Sequence, residues 1–365
     1  MRSRWDFERL AGALASSLIS LLGGSARQAM DTAPTAVWQA IRLSQAQGLL
    51  DSYSRTVAKY SLELMQGTAD SMEPWRRRNY SHPSSRVAWT AWSETPGMEK
   101  LVNSSAYTLA EALNIRRVGD ISLKLRDRYV PYDFALDRLC ADAHVMVSEG
   151  FTYAQAIRHV TDELASTGGV KIVAGEREYD LYGYVRGRVY NDWARFNQAM
   201  RYQDGAIMGM DGVEVSAHWD CAPDHLPWQG KVYSKEDFQV IQGSLERPIG
   251  EGYNCRHLVI PCWRDSTSSY SEAQLREYRL QSEHIVEVGG NEMTRYQATQ
   301  WQRGQERRVR DWKMKAQMCD SVGDDSRAVE CRSKARVLQR ELKRDCERAG
   351  LTYDSRRMSV GQLRP

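Results

Sequence analysis

The chain has 365 residues, of which 42% are hydrophobic and 27% charged, and its formal net charge is +3. This length exceeds one compact domain and predicts two or three structural units, while the composition excludes wholesale disorder. So small a net charge excludes nucleic-acid binding by the surface as a whole, and such a role would need a local patch. The seven cysteines, Cys140, Cys221, Cys255, Cys262, Cys319, Cys331 and Cys346, are odd in number and irregularly spaced. They do not form the dense, even pattern of a small secreted disulfide scaffold, so reduced thiols are expected.

In chain order, residues 10–24 are the stretch that raises a membrane or an export signal. The stretch is short for a transmembrane helix, Ser16, Ser17 and Ser20 interrupt it, and Asp6 and Glu8 spoil a basic signal-peptide start. No membrane partner is expected. A terminal helix with Leu14, Leu18 and Leu22 on one face is predicted, offering an apolar surface for docking onto a neighbouring subunit. Val37, Ile41, Ala46 and Leu49, then Val57, Leu62 and Met65, continue at helical spacing. Residues 73–96 hold three prolines, the run Arg76-Arg77-Arg78 and, among their tryptophans, the exposed-looking Trp89 and Trp92, and predict a long loop or arm. Those arginines could meet phosphates, but a charge run is usually a solvated face. Thr108 with Glu111, and Thr152 with Gln155, have capping-box spacing and predict two helix starts. Tyr153, Ile157, Val160 and Leu164 carry the second helix towards Gly168-Gly169, where it should close.

The periodicity then changes. Val170 and Ile172 before Ala174-Gly175 predict a short strand and hairpin, residues 186–202 a helix, and residues 212–216 another strand. Residues 218–263 are rich in Pro, Gly, Trp, His and Cys and predict a compact irregular unit. Beyond Tyr270 the chain becomes helical again, with Ala328, Cys331, Ala335, Leu338 and Leu342 forming one apolar stripe. From Arg295 to Arg348 there are 15 Lys or Arg against 9 Asp or Glu, a local surplus of six. The expected fold class is α+β: mainly α-helical, with a small central β-containing, Pro/Gly/Trp-rich unit. Three regions follow: 1–165, helical with the loop near 73–96; 166–265, the central α+β unit; and 266–365, basic and helical. No internal repeat or low-complexity tract is visible.

Four residues of the central unit bear metal-binding chemistry: His218, His225, Cys255 and His257. The histidines 218 and 225 lie on a turn-rich segment, and Cys255 and His257 share a face if their segment is extended. If the unit folds back on itself, imidazoles and a thiolate would meet as a tetrahedral zinc site, supplying folding free energy to an irregular segment. Two alternatives use the same residues. The histidines and Trp228 could form a hydrogen-bonded core without metal, or His218 and His225 could act as general acid and base.

The unit reads Val213-Glu-Val-Ser-Ala-His218, then Asp224-His225, Trp228-Gln229-Gly230-Lys231 and Asn254-Cys255-Arg256-His257. These ordered blocks resemble the phage minor capsid protein 2 family, which is related to the minor head proteins of Mu-like phages. The segment from Tyr296 to Arg310, with its Gln, Arg and Glu leading into paired basic residues, is similar to a helix of the same family, as are the helices near Phe151 and Arg186. The likeness runs over about residues 30–355. One departure is Cys221-Ala222, where the family commonly has a small residue and an arginine, so any role of that arginine is absent here. The resemblance implies a non-enzymatic head protein at or near the portal and inner capsid, acting in head assembly or in DNA packaging and delivery. It would be assembled in the host cytoplasm and carried in the virion. Its partners would be the portal protein, the major capsid or scaffolding proteins and packaged double-stranded DNA. The alternative is a head-delivered effector with nuclease-like or nucleotide-modifying activity in the central unit. The basic helices after Trp263, without a concentration of His, Asp or Glu around a Gly-rich loop, favour structure. The 18 Tyr and 11 Trp against 5 Phe fit a subunit of an assembly, since polar-tipped rings suit interfaces, though a bulky helical core would use them too.

Overall fold

The structure, a computed structural model, describes residues 4–125, 128–165, 170–174, 177–250 and 255–360. Helix α1 (Arg4–Ala29) is apolar around most of its circumference, and a helix of that kind is stable only inside a core. It packs against α2 (Ala36–Tyr80), α4 (Tyr132–Ser148), α6 (Leu181–Met208) and α9 (Arg295–Val322). Leu14, Leu18, Ile19 and Leu22 are all completely buried. The N-terminal leucines are therefore the centre of this protein's own core, which corrects the expectation of an outward docking face. Asp6–Ala29 is long and apolar enough to cross a membrane, but most of that stretch is buried within the protein. Gly23 permits the close approach of α9, since a Cβ there would sit 1.9 Å from the Ser321 hydroxyl.

Of residues 73–96, the first eight are corrected from loop to helix, while 81–96 form the expected irregular segment with one short 3-10 turn at Trp92–Glu94. Helix α2 opens on Thr35, whose hydroxyl accepts from the Trp38 N–H at 3.2 Å, and it runs through Pro74 and the arginine run to Tyr80. One ladder hydrogen bond is given up at Pro74. A buried network offsets it: the fully buried Arg76 guanidinium pairs with the fully buried Asp204 of α6 at 2.9 Å, and also reaches Glu73, Thr90 and Thr95. The segment after α2 lies back on the helix. Trp89 donates to Glu73 at 3.2 Å and stacks under Arg77, while Trp92 donates to Asp70 at 2.8 Å. Both tryptophans are half-buried.

Helix α3 (Met98–Leu113) begins well before the expected box at Thr108. Thr108 sits inside the helix and donates to the Ser104 carbonyl at 2.9 Å, the back-bonding available to a mid-helix threonine. The second box is real: Thr152 N–H donates to Gln155 Oε1 at 2.9 Å and Gln155 N–H to Thr152 Oγ1 at 3.3 Å, opening α5 (Tyr153–Ala165). Gly168, Gly169 and Gly175 lie outside the described residues.

Strands β1 (Ile121–Leu125), β2 (Arg128–Pro131), β3 (Val170–Ala174) and β4 (Arg177–Asp180) form an antiparallel sheet in the order β2-β1-β3-β4. Its strand pairing between β1 and β3 crosses the boundary expected at residue 165. Next, α6 continues six residues beyond the expected end at Tyr202, to Met208, and delivers the chain to a second antiparallel sheet. That sheet has the order β6-β5-β7, from β5 (Gly212–Val215), β6 (Val232–Ser234) and β7 (Val259–Cys262). Ser234 caps α7 (Lys235–Ser244) by accepting from Asp237 N–H at 3.0 Å. After α8 (Glu272–Glu283), the region expected to be wholly helical contains a hairpin, β8 (Ile285–Val288) with β9 (Asn291–Thr294). Helices α9 and α10 (Asp325–Arg348) then pack antiparallel, joined at Gly323, whose φ of 92° suits glycine alone. The α10 stripe is confirmed, with Ala328, Cys331, Ala335 and Leu342 buried and Leu338 half-buried. The fold class is as expected: 67% helical, with small antiparallel sheets.

Candidate metal centre

Pairing of β5 with β7 sets Val215 opposite Val259, so the chain leaving β5 runs beside the chain entering β7. Ser216 fastens the two: its N–H donates to the Leu258 carbonyl at 2.9 Å, and its hydroxyl accepts from Leu258 N–H at 2.8 Å. The turns after Ser216 close through His225 N–H to the Ala222 carbonyl and Trp228 N–H to the His225 carbonyl, at 3.0 and 3.1 Å. Gly230, with φ of 69°, returns the chain to β6. These local bonds carry His225 across to Cys255 and His257.

His225, Cys255 and His257 are buried, and their ligand atoms all lie within 4.8 Å of one another. The Cys255 sulfur is 3.6 Å from His225 Nδ1 and 3.5 Å from His257 Nδ1. The outer nitrogens are committed elsewhere. His225 Nε2–H donates to the Arg247 carbonyl at 2.7 Å, and His257 Nε2–H to Gln229 Oε1 at 3.2 Å. With those nitrogens turned outward, Nδ1 of both rings faces the sulfur. The sulfur also accepts the Gly250 N–H at 3.2 Å.

Electrostatics favour the ligand forms of Cys255 and His257, while His225 is drawn towards its charged form. Burial alone would raise the Cys255 thiol, but hydrogen bonds from His225 and from the Gly250 and His257 backbones outweigh it and hold the pKa below the ordinary value. Burial, with His218 and His225 nearby, pushes His257 down to about 3, which keeps it the neutral imidazole a metal requires. Burial opposes the charged form of His225 too, yet the Cys255 contact and the Arg247 carbonyl carry its pKa upward.

His218 stands next to this trio, its ring 4.5 Å from that of His257. Its Nδ1 bonds Asp220 at 2.8 Å, and its Nε2 is buried without a hydrogen-bond partner. Asp220, which burial would raise, is instead held at about 2 by the His218 hydrogen bond and by Arg256, its ion-pair partner.

Of the remaining expected motif residues, Gln229 bridges the His218 N–H at 3.0 Å and the His257 ring, and Arg256 holds Asp220. Asp224 forms a forked pair with Arg247, at 2.7 and 2.8 Å, and its carboxylate also lies 3.9 Å from His225 Nε2. Trp228 packs with Val213, Phe238 and Ile249. Lys231 is exposed and donates to the Pro227 carbonyl at 2.9 Å. Asn254 lies outside the described residues. Cys221 is buried beside the site, its thiol raised by burial and bonded to the Ala222 carbonyl, and it is not one of the converging trio. Sequence reasoning missed Asp220 and Arg247. The one is two residues from a named histidine and the other opens the Arg-Pro-Ile-Gly segment, but neither has a spacing that marks it. It also missed Arg303 of α9, which faces the site across a cavity of about 290 Å³.

No curated protein and no solved structure matches this chain. A profile of the family described as phage minor capsid protein 2 matches residues 23–345. With that span covering most of its 365 residues, the chain belongs to the phage minor capsid protein 2 family and is a structural protein of the phage particle.

Proposed function

We propose that this protein is a minor structural component of the head, placed at or near the portal and inner capsid, where it serves head assembly or DNA packaging and delivery. In that setting its neighbours are the portal protein, the major capsid or scaffolding proteins and packaged double-stranded DNA, and it is assembled in the host cytoplasm. We further propose that its central unit is stapled by zinc held by His225, Cys255 and His257, with His218 as the fourth ligand.

One observation carries the zinc proposal. With Zn–S near 2.3 Å and Zn–N near 2.0–2.1 Å, a tetrahedron has S···N edges of about 3.5–3.6 Å. The two observed spacings are 3.5 and 3.6 Å. Nitrogen and sulfur donors favour zinc over calcium or magnesium. Each outer imidazole nitrogen is held by a protein oxygen, the arrangement that fixes metal-binding histidines. With His218 Nδ1–H given to Asp220, its bare Nε2 is the remaining lone pair. His218 lies outside the group whose ligand atoms all fall within 4.8 Å of one another, so its ring would have to swing inward to close the tetrahedron, and a site so closed is of the structural kind.

The test is metal analysis of the purified full-length protein, with melting temperature measured before and after chelation. About one zinc per chain is expected, with a loss of several kcal/mol on removal. Cys255→Ala should abolish binding, and His218→Ala with His257→Ala should lower solubility and incorporation into heads. Zinc below about a tenth of an equivalent after reconstitution, with a melting temperature indifferent to chelator, refutes the staple. If the double variant folds and assembles normally while infectivity collapses after DNA delivery, the effector function takes precedence over the structural one.

A further inference from the structure

The cluster opens onto a cavity whose one wall is His218, His225, Cys255 and His257 and whose other is α9. Tyr296, Gln300 and Arg303, spaced four and three residues apart, enter it from one face of α9. Arg247 and Arg256 enter from the loops opposite. The charges on its walls do not balance. Arg247 is matched by Asp224 at 2.7 Å, and Arg256 by Asp220, which already serves His218. Arg303 is half-buried, and its hydrogen bond goes to neutral Gln300 at 3.2 Å. Among the described residues no carboxylate lies within ion-pair distance of Arg303. Burial, together with Arg256 and Arg186, brings its pKa down to about 10, so it sits among cations and partly out of water. A guanidinium in that position is stabilised by an incoming anion.

We infer that this cavity binds a phosphate monoester. Planar guanidinium forks from separate segments match tetrahedral phosphate oxygens, and three converge here. The volume of about 290 Å³ exceeds what inorganic phosphate fills and admits a body of mononucleotide size. A concave site excludes the convex duplex backbone, but it accepts a free nucleotide or the phosphorylated end of a strand. Tyr296 supplies a ring surface beside the phosphate. This inference goes beyond the zinc staple, although His218, His225, Cys255 and His257 form one wall of the same cavity, so zinc content must be followed beside phosphate binding.

The test uses the full-length protein as purified, titrated calorimetrically with inorganic phosphate, thymidine 5′-monophosphate, and a short single-stranded DNA with a 5′-phosphate or a 5′-hydroxyl. Saturable binding of the monoesters is expected, weakened at least about tenfold by Arg303→Gln and less by Arg303→Lys, which keeps the charge. Arg308→Gln, exposed on the same helix, should bind as wild type. Preference for the 5′-phosphate over the 5′-hydroxyl strand identifies a strand end, and binding of the mononucleotide alone identifies a free nucleotide. Zinc content measured on the same samples separates this result from the fate of the metal centre. If Arg303→Gln fails to fold, Arg247→Gln, at a half-exposed position, should show the same loss. Absence of saturable binding by every probe at millimolar concentration, or equal binding by wild type and the folded arginine variant, overturns the inference.

Discussion

Replacing Asp204 with alanine tests whether the helix through Pro74 is held by tertiary charge pairing. The Asp204 carboxylate accepts from Arg76 Nε at 2.9 and 3.1 Å, from Arg76 Nη2 at 3.1 Å and from the Tyr80 hydroxyl at 2.7 Å. Arg76 and Asp204 are both completely buried, so the substitution strands a guanidinium away from water. Removing one partner of a buried pair costs about 3–5 kcal/mol. Orphaning the Tyr80 hydroxyl adds about 1–3 kcal/mol. The two terms overlap because both groups share one carboxylate, and Glu73 still pairs with Arg76 at 2.7 Å, so the total should be about 4 kcal/mol. Urea unfolding followed by tryptophan fluorescence reports this directly, since Trp75 and Trp89 flank the network. Asp204→Asn should fall between alanine and wild type. Arg76→Met combined with Asp204→Leu should recover most of the loss, because an apolar pair leaves no charge behind. A loss below about 1 kcal/mol for Asp204→Ala, or simple additivity in the double variant, would refute the reasoning.

Leu18→Ala should cost about 3–5 kcal/mol in the same assay, because α1 is a core helix; a solvent-facing leucine would change stability by less than about 0.5 kcal/mol. Gly230→Ala should destabilise by about 1–3 kcal/mol in thermal unfolding. Its φ is 69° and an added Cβ would lie 2.3 Å from a Leu275 methyl; an unchanged melting temperature would show that this turn does not hold the loop.

Much of the candidate site was legible before any coordinates. His225, Cys255 and His257 stand out because imidazole and thiol are scarce in an irregular segment, but only the strand before it was expected, and that its halves meet follows from β5 pairing with β7. His218 was legible for the same reason, but its tie to Asp220, and hence its bare Nε2, was not. Asp220, Arg247 and Arg303 are ordinary charged residues in sequence. They become a site only because β5 pairs with β7 and α9 lies across the result. The loop assigned to residues 73–96 held from Ser81 onward and failed over 73–80 for a related reason. Pro74 and three consecutive arginines are strong local signals for a solvated break, and a carboxylate 128 residues downstream overrules them at Arg76.

Local chemistry in the sequence was enough to determine the helical class, the Thr152 cap, the α10 stripe and the strand before the histidines, since periodicity and capping act over a few residues. Tertiary structure decided that the N-terminal leucines face inward, that β1 joins β3, and that arginines from three separate segments surround one cavity. Burial and ion pairing depend on which distant surface arrives at a residue. That information lies in the packed whole and not in any short stretch of chain.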